Sequence, residues 1–183
     1  AFKGDEFPYL EFAGYKPSIG FSGGVSLDIV LPRNNHKWSF CNELIVTMSD
    51  FHGLYVYDNY STPVSYTTEL GFTYLKINTM ARFKYPIGKV FIFVNGGITN
   101  GVIISEKNYL RKDWLIGNRN YTFEEKAIPD TKKYEFGLIG GLGLKFWKLN
   151  LDLRYEYGTG ISLYHSLASL TNRVYCLLGY TFN

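Results

Sequence analysis

Between residues 149 and 158, Leu149, Leu151, Leu153, Tyr155 and Tyr157 alternate with Asn150, Asp152, Arg154, Glu156 and Gly158. A strand repeats every two residues, so the two sets face opposite sides of a sheet. The same alternation predicts seven strands along the chain. Over residues 18–31, Ile19, Phe21, Val25, Leu27 and Ile29 oppose Ser22, Gly24, Ser26 and Asp28. Over 38–48, Trp38, Phe40, Leu44, Val46 and Met48 oppose Ser39, Cys41, Glu43 and Thr47. Over 75–85, Leu75, Ile77, Ala81, Phe83 and Tyr85 oppose Lys76, Asn78, Met80, Arg82 and Lys84. The run 89–105 is apolar on both faces, with Val90, Ile92, Val94 and Ile98 assigned together. Over 134–146, Tyr134, Phe136, Leu138, Leu142, Leu144 and Phe146 oppose Glu135, Gly137, Gly141, Gly143 and Lys145. After 149–158 comes 172–182, where Val174, Cys176, Leu178, Tyr180 and Phe182 oppose Arg173, Tyr175, Gly179 and Thr181.

The connections decide between a soluble sandwich and a membrane barrel. Residues 32–37, 86–89 and the join at Trp147 and Lys148 are short, whereas 49–65, 106–132 and 159–171 are long. Strict alternation of short turn and long loop is the wiring of outer-membrane barrels, and a sandwich has no reason to follow it. The polar face agrees. Asp28, Glu43, Glu135, Asp152 and Glu156 stand against Lys76, Arg82, Lys84, Lys145, Arg154 and Arg173, interspersed with glycine. Enclosed charges are costly unless paired, so this near-balance suits a narrow, salt-bridged lumen. The apolar face carries aromatics at its ends, Trp38, Phe83, Tyr85, Phe146 and Phe182 among them, and aliphatics between, as a membrane girdle does. The leucines of 149–158 are therefore expected to meet lipid, and Asp152, Arg154 and Glu156 to point into the lumen.

Composition narrows the function classes. Tyr 16, Phe 14 and Gly 19 in 183 residues favour strands over helices. A net charge of +3, scattered along the chain, gives no nucleic-acid footprint. No apolar run approaches the roughly 20 residues of a membrane helix, so any spanning is done by strands. Cys41 and Cys176 are predicted on opposite faces of distant strands, as free thiols. Closed bacterial barrels have an even strand count, and seven runs leave one missing. With the C-terminus periplasmic, the run from residue 18 descends from outside, and residues 1–16 form an extracellular loop or a partial first strand. The first strand is then expected upstream of Ala1, in a single barrel domain spanning 1–183.

The segments YLKINTMARFKYPIGKVFIFVNGG, EFGLIGGLGLKF, LDLRYEYGTG and NRVYCLLGYTF resemble the PorT-like outer-membrane β-barrel family of Bacteroidetes, itself similar to the OmpA-like eight-stranded barrels. The resemblance runs from about Ser18 onward and is most specific around Gly140 and Gly141 and at RYEYG. It implies an all-β, antiparallel, up-and-down transmembrane barrel of eight strands in a Gram-negative outer membrane, with termini periplasmic and long loops extracellular. It also implies an upstream signal peptide and, in the namesake, a role in type IX secretion. The final strand resembles a barrel-assembly signal carried by Tyr180 and Phe182, although Asn183 follows the terminal aromatic.

Candidate chemistry is thin. His165 and Ser166 adjoin in a long connection, which places them poorly as base and nucleophile, and the His-x-Ser spacing of lipid A deacylases is absent. His36 and His52 have no second ligand at metal spacing. No enzyme activity, cofactor or metal is expected. The long connections carry Phe51, Tyr55, Tyr57, Tyr60, Tyr109, Trp114 and Tyr121, either packed on strands that extend past the bilayer or exposed to a partner. Arg111, Lys112 and Arg119 could meet lipopolysaccharide phosphates. The resulting expectation is a non-enzymatic structural or accessory subunit of an envelope complex serving secretion, assembly or uptake. Its partners would be outer-membrane lipid, lipopolysaccharide, other outer-membrane proteins and, during insertion, the barrel-assembly machinery. A narrow channel, a free-standing surface receptor and a lipid-modifying enzyme are the rivals.

Overall fold

The computed structural model describes residues 19–32, 34–57, 64–116, 119–128, 131–159 and 170–182, with the side chains of all of these except 51–57, 64, 115 and 116. They form eight strands: β1 (Phe21–Val30), β2 (Trp38–Tyr57), β3 (Val64–Ile87), β4 (Val90–Ile116), β5 (Arg119–Glu125), β6 (Tyr134–Phe146), β7 (Leu149–Thr159) and β8 (Leu170–Tyr180). Seven make one antiparallel sheet in the order β1-β2-β3-β4-β6-β7-β8, and β5 pairs with the far end of β4.

The sheet curls, and the sequence alternation becomes its two faces. On β7 the even residues from Asp152 to Gly158 are buried and every odd one is exposed. Outside stand Leu142 at 58% exposure, Leu153 at 49% and Leu178 at 77%, in a continuous apolar band that water would not tolerate but lipid would. Trp38, Tyr85, Phe146, Trp147, Tyr180 and Phe182 rim the turn end of that band, and Tyr134, Tyr155 and Tyr157 the other. Between Leu149 and Tyr157 lie about 26 Å of strand, or roughly 20 Å along the normal at an ordinary tilt. That matches the apolar belt of an outer-membrane barrel.

Turns at the rim are tight. Asn34, Asn35 and His36 take φ of 55°, 54° and 62°, and Lys37 donates its amide to Asn34 O at 3.1 Å. A two-residue connection joins β3 to β4, with Gly88 at φ 60°, where glycine has no Cβ to clash. Trp147 takes the same place between β6 and β7 at φ 54°, a conformation unusual for so bulky a residue.

At the other end two of the long connections take the first of the two expected forms, strands that extend past the belt. Most of 49–65 is a hairpin of β2 and β3, paired out to Tyr57 and Val64, and 106–132 is largely the continuation of β4 and its hairpin with β5. A bulge makes the second extension possible: Tyr74 faces Ile103 and Thr73 faces Ser105, leaving Ile104 as the extra residue. Before it, odd residues of β4 such as Phe93, Asn95 and Thr99 are buried; beyond it, Asn108 and Leu110 are. The switched parity turns Leu110 inward, onto Leu70, Phe72, Tyr74, Ala127 and Ile128. Asn108 fixes this apolar cluster, donating Nδ2 to Ile128 O at 2.7 Å and accepting the Ile128 amide on Oδ1 at 3.0 Å.

The eighth strand of the structure is therefore β5, which extends the sheet beside the far end of β4 and is not one of the seven strands in the main pairing order. The first strand expected upstream of Ala1 lies outside the described residues. Because neighbours alternate in direction along seven strands, β1 and β8 run the same way. They cannot close antiparallel on each other, and one strand of opposite direction between them restores the alternation. Among the described residues no ladder joins them, and a cleft of about 140 Å³ lies along their edges, lined by Ser22, Gly24 and Ser26 from β1 and Leu177 and Gly179 from β8.

Candidate functional site

The concave face gathers ten charged side chains into two groups, each electrically balanced. In the first, Lys76 Nζ lies 2.5 Å from Glu156 Oε1 and 3.2 Å from Glu135 Oε2. Arg173 Nη1 reaches the same carboxylates at 2.7 and 2.9 Å. Tyr175 donates its hydroxyl to Glu156 at 2.9 Å, and Thr171 donates to Glu135. Lys76 and Arg173 both approach the Tyr74 ring, 5.1 and 5.0 Å from its centroid. Two cations meet two acids.

In the second group Arg154 grips Glu43 with both terminal nitrogens, Nη2 at 2.8 Å, and meets Asp152 at 2.6 Å. Arg82 donates Nε to Asn95 Oδ1 at 2.7 Å and pairs with Asp28 at 3.0 Å and Asp152 at 3.5 Å, lying against the Phe93 ring. Asn95 passes the link on, donating Nδ2 to Asp152 at 2.9 Å. Lys84 completes it on Asp28 at 3.2 Å. Three cations meet three acids.

Both groups join strands that are not neighbours. Lys76 on β3 and Glu43 on β2 meet Glu156 and Arg154 on β7, so the bridges cross the interior and hold the sheet in its curl. Such charges are tolerable in a low-dielectric enclosure because each has opposite charges and hydrogen-bond partners. Glycines make the room. A Cβ on Gly143 would run into the Phe93 ring, and one on Gly141 would stand 2.7 Å from Arg154 Cγ. Cys41, Met80 and Ile139 add a small buried apolar cluster on the same face.

Ten of the eleven lumen residues expected from sequence take part: Asp28, Glu43, Lys76, Arg82, Lys84, Glu135, Asp152, Arg154, Glu156 and Arg173. Lys145 does not. It is half-buried without an ion pair among the described residues, because Asp28 and Asp152 are already held by Arg82, Lys84 and Arg154. The sequence reading missed Asn95, Phe93, Thr171 and the bridging role of Tyr175. Parity could have marked Asn95, but the apolar residues on both faces of its run hid it.

At the extended end, Tyr109 and Phe123 are 58% and 52% exposed, and Trp114 stacks on Tyr121 at 6.1 Å. Phe51, Tyr55 and Tyr57 belong to β2 rather than to a loop, and Tyr60 lies outside the described residues. Arg111 pairs with Asp113 at 3.0 Å and Lys112 with Glu125, so both cations are already engaged within the hairpin; Arg119 has no ion pair among the described residues. Hydrogen bonds from Thr122 and Arg111 hold the Asp113 carboxyl below its ordinary 3.8. Since the folded value is the lower one, this stabilisation is present above about that pH and fades as pH falls through the folded value. His36 is exposed in its turn, and the side chain of His52 lies outside the described ones, as do residues His165 and Ser166. Cys41 and Cys176 are free, the first buried and the second on the outer face. Tyr180 and Phe182 meet edge to face at 5.0 Å on the turn rim.

Residues 6–162 match the family model described as an outer membrane protein beta-barrel domain. No curated protein and no solved structure matches the chain.

Proposed function

Because the chain belongs to the outer membrane β-barrel domain family, we propose that it serves as a non-enzymatic accessory subunit of a larger envelope complex. In this reading it is anchored by its strands and docks a partner through its extended end. It places the chain in the PorT-like branch, with the turn rim and C-terminus periplasmic, the β2–β3 and β4–β5 hairpins extracellular, and Tyr180 and Phe182 read by the assembly machinery. One observation carries it: the interior is crossed by paired side chains, whereas exposed aromatics collect on the extension, at Tyr109, Tyr121 and Phe123. An interior bridged from β2 and β3 to β7 favours a rigid anchor over an ion path. Aromatics held on a rigid hairpin suit a protein partner, since they lose little freedom on binding.

The test is extraction of the native membrane in mild detergent, followed by size-exclusion chromatography and mass spectrometry. A stoichiometric envelope protein should travel with the wild type and be lost from Tyr109→Ala/Phe123→Ala, while that variant keeps heat-modifiable mobility on gels. Retention of the partner by the double variant would refute docking through this end. Single-channel conductance from the purified barrel would refute the anchor reading.

A further inference from the structure

Among the described residues β5 is an edge: it pairs with β4 along one side, every one of its seven residues is exposed, and no described strand covers its other side. Edge strands with free amides and carbonyls are templates for another strand unless charge, proline or a bulge blunts them. β5 reads Arg-Asn-Tyr-Thr-Phe-Glu-Glu and carries neither proline nor bulge. Its charge is at the two ends, positive at Arg119 and negative at Glu124 and Glu125, the last also paired with Lys112 of β4.

That order is self-complementary about Thr122. Laid antiparallel on a second copy with Thr122 at the centre, Arg119 falls opposite Glu125, Asn120 opposite Glu124, Tyr121 opposite Phe123 and Thr122 opposite itself. The ion pair, the amide–carboxylate pair, the aromatic pair and the threonine pair are all compatible cross-strand combinations, and a one-residue slip loses the register of all of them. A parallel pairing in register would instead set Arg119 on Arg119 and Glu125 on Glu125. We infer that β5 is a homotypic adhesion edge, joining two copies of this chain through an antiparallel β5–β5 ladder centred on Thr122.

Geometry then decides where the second copy sits. β4 runs from Val90 in the apolar belt, through the bulge at Ile104, to Ile116, and β5 is paired in register along its end, so their sheet continues the barrel wall. The two-fold axis of an antiparallel pair is normal to its sheet, and the normal of a barrel wall lies parallel to the membrane. Rotation about it inverts the partner, placing it in a facing membrane rather than beside the first copy. Seven residues a side make a small contact, so attachment comes from many weak pairs acting together across two apposed surfaces. The inference rests on the extracellular placement of the β4–β5 hairpin proposed above.

The experiment uses the full chain reconstituted in two vesicle populations labelled with donor and acceptor lipids, read by light scattering and energy transfer. Wild-type vesicles should cluster. Arg119→Glu vesicles alone and Glu125→Arg vesicles alone should not, since each apposes like charges twice. Mixed, they should cluster again, because both ion pairs re-form between the variants, and the rescue shows that both are folded. Clustering of either variant with itself, or no rescue on mixing, overturns the inference. Thr122→Cys should give a disulfide-linked homodimer between populations; a dimer formed only within one population overturns the facing-membrane arrangement. Labelling of the Thr122→Cys variant on intact cells by an impermeant maleimide separates the premises. An unlabelled thiol sinks the extracellular placement, and a labelled thiol without cross-linking sinks the adhesion edge.

Discussion

Lys76→Met probes whether the crossing ion pairs hold the barrel. Lys76 is 1% exposed, between Glu156 and Glu135, themselves 1% and 3% exposed. Removing the ammonium leaves two acids on the single cation Arg173 and so one uncompensated charge. Breaking a buried pair in this way costs about 3–5 kcal/mol. Arg173 still reaches both carboxylates, and Tyr175 and Thr171 still donate to them, so the low end applies, about 3 kcal/mol. At a urea slope of about 2 kcal/mol per molar, the unfolding midpoint should fall by about 1.5 M. Lys76→Met combined with Glu156→Gln restores balance, one cation to one acid, and should regain about half of the loss although it removes a second native group. The assay is equilibrium urea unfolding in phosphocholine vesicles, followed by tryptophan fluorescence and by heat-modifiable mobility. A single variant within about 0.3 M of wild type, or a double variant less stable than the single, would refute the reasoning.

Gly97→Ala drives a methyl into the carbonyl oxygen of Thr79 and to 2.6 Å from Met80 Cα, both backbone, and should cost about 1–3 kcal/mol; Gly96→Ala points into open space and should leave the same midpoint unchanged. Leu153→Arg puts a charge in the middle of the lipid face and should destabilise by about 2–4 kcal/mol, read as the same shift and as reduced assembly. Asn108→Ala strands the amide and carbonyl of Ile128, at about 1–3 kcal/mol felt locally. It should show as faster tryptic cleavage at Lys126 with no change in the heat-modifiability of the barrel, and equal loss of both would argue against a separately held extension.

The membrane-crossing part was legible because its code is local. A period of two divides Leu149 to Gly158 into lipid and lumen faces with no knowledge of the fold, and ten charged residues found that way do meet inside. The extension was less legible. Mixed aromatic and charged runs such as NYLRKDW do not alternate cleanly, and the bulge at Ile104 reverses which parity is inward halfway along β4. A single unpaired residue leaves no compositional mark, so Leu110 and Asn108 could not be assigned to the interior from their positions alone.

What the sequence determined by itself was therefore the two-faced sheet, the side that meets lipid, and the near-neutral charge of the other side. Pairing was decided only by the tertiary structure. It sorts the charges into two balanced groups rather than one, leaves Lys145 out, brings in Asn95 and Tyr175, and decides that two long connections are largely paired strands. The physical reason is range. Which face a side chain takes follows from its immediate neighbours in sequence, whereas its partner depends on the curl that carries β7 across to β2 and β3, contacts 80 residues apart for Lys76 and Glu156 and 111 for Arg154 and Glu43.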